Sequence, residues 1–460
     1  YTENNKSLKL PELIISISRT PEADHLEVVS SLGTMKLNGK IDFNTIVNDL
    51  KDHVSKILPK IIAPSPYTQK KINNSFDYEV TFKETNKLLN IIYPELNISN
   101  GSTLSGYYSS NSSESLFKFQ SQKVTFKGVE FKDCNFSNTV TNDSIKAQYA
   151  ISDIAFNDSL QVSNFNFDIN GNSSVIKSNL GWDNSYGNSS LLTWDSNIKG
   201  IDEYEFDIKN SFISIQNNRW DINNHAFLKV KGKSIEIDQL KFQHQEKFIQ
   251  LMGTLSDQDA DQLNFRVNEF NLADISLFID PKKDIQGTIN AWGYISNPFN
   301  NISYSGDANI SQFFIDKREV GDLFIKSNWQ KGGESLSLKG DLLYKSNKTF
   351  SFDGSYFFKR PTNNLDFKLI FDNTDIQFTN SFFDPSVVSG IKGNLVGKLD
   401  VQGEFENPII NGKVKLQKGE VKLALLNVNY KLSGDILCDK YGFYINNMPI
   451  TDEEGNTGSV

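Results

Sequence analysis

Histidine is the side chain best suited to proton transfer at neutral pH and to metal binding, and this chain of 460 residues has only four. His25, His53, His225 and His244 show neither metal-ligand spacing nor an HExxH motif. The sequence also lacks the GxSxG nucleophile elbow, the GxGxxG dinucleotide fingerprint and the GxxxxGK[ST] phosphate loop. No histidine-based or phosphate-binding active site is therefore predicted.

Cysteines and carboxylates do not form a reactive set either. Cys134 and Cys438 are far apart in the chain and predict two buried or idle thiols rather than a metal site or a disulfide. Acidic residues are plentiful, but many alternate with apolar residues, as Glu236 and Asp238 do, which predicts a solvated strand face. We predict no enzymatic activity, no cofactor and no metal. A carbohydrate hydrolase with scattered carboxylates is the alternative that one sequence leaves open.

Composition narrows the class of partner. The net charge of −9 argues against nucleic acid, which requires a basic surface. Hydrophobic residues make up only 38% of the chain, yet 34 of them are phenylalanine, so apolar area is concentrated in large side chains. No run of 18 apolar residues is present, and we expect any signal or membrane anchor to lie in a longer protein outside this sequence.

Most of the chain alternates between apolar and polar residues, the pattern of strands that bury one face. Between residues 395 and 405 the odd positions are apolar or glycine and most even positions are charged or polar. Turn residues, including Lys418-Gly419, separate such runs and predict an antiparallel meander. The other predicted strands are 211–222, 226–242, 247–255, 302–315, 320–329, 335–344, 350–358, 412–425 and 428–437.

Helical spacing is confined to short segments. Residues 42–58 place their apolar side chains on one stripe between Asp42 and Pro59 and predict an amphipathic helix. Weaker helical patterns occupy 85–92, 272–279 and 376–383. Residues 59–75 have no periodicity and predict a loop.

A composite pattern recurs at 76–94, 263–281 and 365–385: an alternating strand, a short helical cluster and a terminal proline. After two of the copies, the strands that contain Gly287 and Gly397 lead with the same spacing to Asn-Pro pairs at 297 and 407. Long repeats indicate an array of similar units rather than one enzyme core. We predict units at 1–75, which includes the helix and the loop, and at 76–262, 263–364 and 365–460.

Strands with one apolar face can form a closed sandwich or a sheet that curls lengthwise and leaves an apolar groove open. In the second case acyl chains are the natural occupants, because each buried methylene gains about 0.8 kcal/mol. The residues predicted to line such a groove are Ile235, Ile237, Leu251, Ile289, Ile295, Leu399, Val401, Val414, Leu416, Val421 and Leu423.

The run GKLDVQGEFENPIINGKVKLQKGEVKL at 397–423 resembles the repeat of the TamB/AsmA-like family, as does the run at 428–458. Residues 211–255, with Trp220 and Gly253, are similar to a tryptophan-containing block of that family. The resemblance covers about residues 200–460 well, 1–100 through the helix and repeat pattern, and 100–200 loosely. It rests on the sum of these diffuse motifs.

The resemblance implies an all-β fold with a few short helices, in which an elongated antiparallel sheet curls into an open groove of repeating β-groove units (a β-taco). It also implies a place in the periplasm of a diderm bacterium, anchored in the inner membrane by a segment outside this chain. The implied function is conduction of phospholipids, through their acyl chains, between inner and outer membrane. The implied partner is a BamA/TamA-like outer-membrane barrel protein, contacted through a region beyond Val460.

Two other functions stay open. An assembly factor for outer-membrane proteins would receive unfolded strands at a sheet edge by β-augmentation. A parallel β-helix surface protein would repeat every 20–25 residues or so, which the long repeat and the helical pattern at 42–58 disfavour.

Overall fold

The computed structural model describes most of the chain. Of the segments predicted above, almost all of the helix at 42–58 and of the loop at 59–75 lies outside the described residues. The described residues are 2–3, 6–7, 12–21, 23–42, 44–45, 48, 74–112, 114–141, 143–156, 160–275, 283–329, 335–382, 384, 386–405, 407–424 and 427–460.

The predicted fold class is confirmed: the described residues form antiparallel β-sheet with a few short helices. The chain divides into two compact units, Tyr1–His244 (unit 1) and Gln245–Val460 (unit 2). In each unit most strands pair with the strands next to them in sequence, which gives an antiparallel meander. The sequence predicts four repeat units, at 1–75, 76–262, 263–364 and 365–460, and these remain a prediction.

The elements that the structure describes in unit 1 are a two-stranded ribbon, the meander and an α-helix. Its elements are β1 (Thr2–Glu3), β2 (Lys6–Ser7), β3 (Leu13–Arg19), β4 (Asp24–Ser30), β5 (Gly33–Lys40), β6 (Ser75–Phe82), α1 (Asn86–Ile92), β7 (Leu96–Ile98), β8 (Thr103–Ser109), β9 (Glu114–Phe126), β10 (Val129–Val140), β11 (Ile145–Ala155), β12 (Gln161–Gly171), β13 (Val175–Asn184), β14 (Ser189–Gly200), β15 (Glu203–Ile208), β16 (Ser211–Ile215), β17 (Asn218–Ile222), β18 (Ala226–Lys231) and β19 (Ser234–His244).

Unit 2 continues the same arrangement with two short 3-10 helices. Its elements are β20 (Lys247–Leu255), β21 (Leu263–Asn271), a 3-10 helix (Leu272–Asp274), β22 (Ile285–Ser296), β23 (Ser303–Ile315), β24 (Arg318–Trp329), β25 (Ser335–Tyr344), β26 (Asn347–Phe357), β27 (Leu365–Asp375), a 3-10 helix (Gln377–Phe382), β28 (Val388–Gly403), β29 (Pro408–Leu423), β30 (Val428–Asp439), β31 (Gly442–Ile445), β32 (Pro449–Thr451) and β33 (Thr457–Ser459).

Alternation along each strand gives the sheets an apolar face and a polar face. In β27, Leu365, Phe367 and Leu369 lie on the apolar face and are half-buried, whereas Asp366 and Lys368 lie on the polar face and are exposed. Neighbouring strands share the same apolar and polar faces, because the side chains of directly paired residues point to the same side of the sheet. The period of two in the sequence therefore predicts the faces correctly.

Mid-strand bulges keep the apolar face continuous while bending the strands. In β21 the apolar face carries Val267 and then Phe270, because an extra residue is inserted and Glu269 adopts a φ of 50°. A bulge bends its strand, so the sheet of each unit curls around its apolar face. The residues with positive φ at such register shifts are Asn164 in unit 1 and Glu269, Gln312, Asn373 and Lys418 in unit 2.

Polar side chains on the following strand support the bulges. The backbone N–H groups of Glu269 and Gln312 donate to Asn290 Oδ1 at 2.9 Å and to Asp322 Oδ1 at 2.8 Å. The Lys418 N–H donates to Ser433 Oγ at 3.1 Å. A backbone donor that loses its ladder partner needs another acceptor, and these side chains supply it.

Two pairs of short strands in unit 1 are halves of longer strands. The run β15–β16 pairs along its whole length with β17–β18, and the register shifts by one residue between Ile208 with Ala226 and Ser211 with Ile222. β14 pairs with both halves of the first run, and β19 pairs with both halves of the second. The interruption is thus a bulge and the meander continues through it.

Three local predictions are wrong. Lys418-Gly419 forms no turn, because β29 runs through it and the left-handed φ of Lys418 belongs to a bulge. The single strands predicted at 211–222 and 226–242 are each a hairpin: β16 and β17 turn at Gln216, where φ is 52°, and β18 and β19 turn at Gly232, where φ is 55°. The three errors have one cause: a residue with positive φ marks a turn or a bulge, and the sequence around it is similar in the two cases.

Helices form where the short helical patterns predict them. α1 lies within 85–92, and the two 3-10 helices lie within 272–279 and 376–383, although 276–280 and 383 are outside the described residues. In the part of the chain that the structure describes, no helix has both the length and the hydropathy needed to cross a bilayer.

Candidate functional site on the apolar faces

An aromatic ladder crosses the apolar face of unit 1. Phe119, Phe136, Tyr149 and Phe167 lie directly opposite one another on β9, β10, β11 and β12. Successive ring centroids are 5.7, 5.4 and 6.1 Å apart. Such contacts gain about 0.5–1.5 kcal/mol each beyond the area they bury. The ladder therefore stabilises the pairing of these four strands.

The hydroxyl of Tyr149 in this ladder makes a hydrogen bond. It donates to Asn138 Oδ1 at 2.7 Å, so the ring can lie on the apolar face without leaving its polar group unpaired. Tyr78 on β6 makes a similar bond, donating to the carbonyl oxygen of Leu116 at 3.0 Å.

Titratable groups on the apolar faces are shifted towards their neutral forms. Burial raises the pKa of the Cys134 thiol from 9.0 to about 11, with a smaller contribution from the charge of Asp133. Burial also raises the pKa of Tyr78 in unit 1 and of Cys438 in unit 2. Desolvation disfavours the charged form, so these three groups indicate a poorly hydrated surface in both units.

Unit 2 fills its apolar face differently, with aromatic rings lying over glycines of the neighbouring strand. A Cβ added to Gly340 would lie 2.3 Å from Phe352 Cε1, and one added to Gly354 would lie 2.6 Å from Phe367 Cδ1. A Cβ on Gly293 would lie 2.7 Å from Phe265 Cζ. Glycine at these sites lets each ring lie along the sheet, which keeps the surface low and apolar.

Aliphatic side chains form the apolar face towards the end of unit 2. Leu399, Val414 and Cys438 are buried on β28, β29 and β30, and residues such as Leu369 and Ile436 pack around them. A similar cluster in unit 1 is centred on Cys134 and draws its members from β9 to β12. Both clusters are built from consecutive strands of one sheet, so neighbours within that sheet, rather than a facing layer, provide the burial.

All eleven residues predicted to line a groove lie on these apolar faces. Ile237, Leu399, Val414 and Leu416 are buried, with 4–9% of their surface exposed. The other seven are half-buried: Ile235, Leu251, Ile289, Ile295, Val401, Val421 and Leu423. Their cross-strand partners are apolar or glycine, for example Phe265 opposite Leu251 and Ile410 opposite Val401. Contact of these residues with lipid remains a prediction.

The apolar face of unit 1 reaches an open edge at β3. Leu13, Ile15 and Ile17 are 53%, 57% and 63% exposed, and they continue the rows of Val28 and Leu26 on β4. β3 pairs only with β4 among the described residues. An edge strand with unpaired backbone groups and apolar side chains is a template for another strand.

The polar faces carry ion pairs rather than clustered catalytic groups. Hydrogen bonds from Lys229 and Lys392 hold the pKa of Glu203 and of Glu420 below its usual value. The Lys392 Nζ lies 2.9 Å from a Glu420 carboxylate oxygen, and both groups are solvent-exposed. Exposed pairs of this kind add little stability. Within the described ranges, no group of histidine, cysteine and acidic side chains is arranged to hold a metal ion.

Sequence reasoning missed the bulges and the ring-over-glycine contacts. The signal for a bulge is a phase change in the alternation, such as the step from Val267 to Phe270 or from Leu416 to Gly419. The signal for a ring-over-glycine contact is a glycine at an apolar position of one strand, opposite an aromatic residue on the next strand. This signal depends on the register between the two strands and cannot be read from one strand alone.

In each unit, the described strands present an apolar face on which most side chains are half-buried. Comparison of the chain with protein-family models, with curated proteins and with solved structures finds no match.

Proposed function

We propose that the apolar faces bind the acyl chains of phospholipids and conduct them along the sheet. The observation that carries this proposal is the row of apolar and glycine positions that continues from strand to strand while most of its side chains stay half-buried. In unit 2 this row follows Ile249, Val267, Ala291, Ala308, Ile325, Gly340, Phe352, Leu369, Leu399, Gly412 and Cys438.

The length of the row suits an acyl chain. Strands lie about 4.8 Å apart, so the strands from β20 to β30 span roughly 50 Å. Large exposed apolar surfaces mark sites of interaction, because water contact with them is unfavourable. Each methylene transferred from water to such a surface gains about 0.8 kcal/mol, so affinity needs no single anchoring residue.

The wider setting is part of the same proposal. The resemblance of 397–423 to the TamB/AsmA-like repeat supports a periplasmic role in a diderm bacterium, with transfer of phospholipid between inner and outer membrane. It also supports attachment to the inner membrane and contact with a BamA/TamA-like barrel protein through segments outside this chain. No catalytic step is required, since movement along a uniform apolar surface changes no covalent bond.

Adjacent residues on opposite faces of β28 provide a direct test. Val401 lies on the apolar face between Phe367 and Ile410, and Gln402 lies on the polar face. We expect Val401→Glu to lower binding of a fluorescent phospholipid by tenfold or more, because a carboxylate must be desolvated by the acyl chain. Gln402→Glu introduces the same charge and should bind like the parent.

Circular dichroism must show that both variants keep their β-sheet content. Photocrosslinking from position 401 should capture lipid from membranes, and crosslinking from 402 should not. Equal binding by the two variants, or the absence of lipid from the purified parent protein by mass spectrometry, would exclude the proposal.

The edge at β3 favours a second candidate, an assembly factor for outer-membrane proteins. Its exposed Leu13, Ile15 and Ile17, and a backbone edge that pairs with no strand among the described residues, could receive an incoming strand. Crosslinks from Ile17 to unfolded barrel proteins, without lipid crosslinks from Val401, would favour this role over lipid conduction.

A further inference from the structure

The polar face of unit 2 contains a depression that is formed mainly by side chains outside the proposed lipid-binding row, although Ala308, Ile325 and Gly340 of that row also line it. It has a volume of about 520 Å³, and its residues come from β22, β23, β24 and β25. Two aromatic side chains belong to it, Trp292 and Phe324, which are 52% and 44% exposed. Single exposed apolar residues are ordinary, but two at one depression on an otherwise charged face indicate a binding site.

The strand register fixes how the two rings are placed. Trp292 lies opposite Asp307, Asp307 opposite Lys326, and Phe324 precedes Lys326 by two residues on the same face of β24. The two rings are therefore two strands apart, or about 10 Å in the direction across the strands. A ligand that contacts both must be extended and must present an apolar surface to each.

Polar groups between the rings have bonding capacity to spare. Asp307 and Lys326 face each other across β23 and β24, yet neither makes a salt bridge or side-chain hydrogen bond with the described residues. Asp307 is half-buried and Lys326 is exposed, so a ligand in the depression can reach both charged groups.

The acidic and basic side chains of the depression are equal in number, which disfavours a ligand with a net charge. Its two acidic residues, Asp307 and Asp341, are balanced by Lys326 and Lys339. Asp341 pairs with Lys348 at 2.5 Å, and Lys339 pairs with Asp353 at 3.5 Å. A neutral ligand with many hydroxyl groups meets this environment without an uncompensated charge.

From these features we infer that the depression binds a neutral oligosaccharide. A β-linked pyranose presents apolar C–H groups on its faces, which stack on Trp292 and Phe324, and hydroxyls at its edge. Those hydroxyls donate to the Asp307 carboxylate and accept from the Lys326 ammonium group. The spacing of the rings requires at least two or three sugar units.

Calorimetric titration with soluble chitohexaose tests this inference. We expect saturable binding by the parent protein, about tenfold weaker binding by Trp292→Ala and about fivefold weaker binding by Phe324→Ala. A tenfold loss corresponds to about 1.4 kcal/mol, a plausible value for one stacked ring. The monosaccharide N-acetylglucosamine, which can reach only one ring, should bind far more weakly than the hexamer.

Ile370→Ala is the matched control, because Ile370 is 42% exposed on the same polar face of unit 2 and is absent from the depression. Its binding and the thermal unfolding of all three variants should match the parent, since exposed side chains contribute little to stability. Failure of chitohexaose, cellohexaose and maltohexaose to bind would overturn the inference. So would unchanged binding by Trp292→Ala, or binding of a proline-rich decapeptide in place of the sugars.

Discussion

Aromatic rings in unit 1 pack against one another across neighbouring strands, whereas several in unit 2 lie over glycines. In the first arrangement Phe136 touches Phe119 and Tyr149, and each ring depends on the next. In the second, Phe367 depends on the missing side chain of Gly354. The difference shows that strands with the same apolar/polar alternation can build an apolar face in two ways: by packing large side chains against one another, or by placing a glycine beneath a large side chain.

This difference matters for the proposed lipid binding. In the ladder each ring packs against the rings on the neighbouring strands, whereas a ring over a glycine lies close to the backbone of the neighbouring strand. Both arrangements keep the face apolar and poorly hydrated, as the raised pKa values of Cys134 and Cys438 indicate. Mutations can therefore separate the two arrangements by their stability effects.

The largest effect is expected from filling a glycine site in unit 2. Gly354→Ala places a Cβ 2.3 Å from the carbonyl oxygen of Asp366 and 2.6 Å from Phe367 Cδ1. Because the backbone itself must move, we expect a loss of about 3 kcal/mol in local stability. Faster hydrogen exchange in β26 and β27 would report it.

Gly181→Ala in unit 1 is the matched control for that variant. The nearest atom to its added Cβ is 3.7 Å away, an ordinary contact. Hydrogen exchange in β13 and β14 should change little. Equal sensitivity at the two glycines would show that the units do not differ in the way described.

A smaller effect is expected from breaking the ladder in unit 1. Phe136→Ala removes two ring contacts and half-buried apolar area, at a cost of about 2 kcal/mol. Hydrogen exchange should accelerate in β9, β10 and β11. Phe156→Ala, at a side chain that is 47% exposed, should leave exchange nearly unchanged, and a similar response to both variants would argue against the ladder.

Bulges should respond alike in both units, which sharpens the comparison. Lys418 and Asn164 have φ values of 49° and 50°. Valine at either site should cost about 1–2 kcal/mol, because a branched Cβ clashes in the left-handed region, and glycine should be tolerated or stabilising. Chemical denaturation of each variant measures this, and tolerance of valine would mean that the bulge is not needed.

The next prediction concerns the chemical reactivity of the two cysteine thiols. With its pKa raised to about 11 from 9.0, Cys134 should react with iodoacetamide at pH 8 about 100-fold more slowly than an exposed thiol, apart from any further slowing by burial. Cys438→Ser isolates the Cys134 reaction, and Cys134→Ser isolates the other. Rapid labelling of Cys134 in the folded protein would contradict its burial.

The same shift predicts a pH effect of known sign. The neutral thiol is favoured in the folded state, so its contribution to stability is complete below the ordinary pKa of 9.0 and is lost as the pH rises towards 11. Cys134→Ala should reduce this alkaline loss of stability, as measured by denaturation at pH 8 and pH 10.5. An identical alkaline loss in the variant would assign the effect to other groups.

Local features of the sequence were sufficient for the strands and their faces. Alternation in 365–371 and 395–405 identified β27, β28 and their apolar sides, because side-chain direction in a strand depends only on position. Helical spacing found α1 and both 3-10 helices. Phase changes such as that from Val267 to Phe270 were visible in the sequence, but an extra residue that makes a bulge resembles one that makes a turn.

By itself, then, the sequence determined the fold class, the strand faces and the set of apolar residues that share a side. Tertiary structure decided which residues on different strands meet: Phe367 over Gly354, the ladder around Phe136, and the depression with Trp292 and Phe324. The physical reason is register. A strand's alternation is set by its own backbone, whereas cross-strand contact depends on bulges and turns whose one-residue shifts move every neighbour.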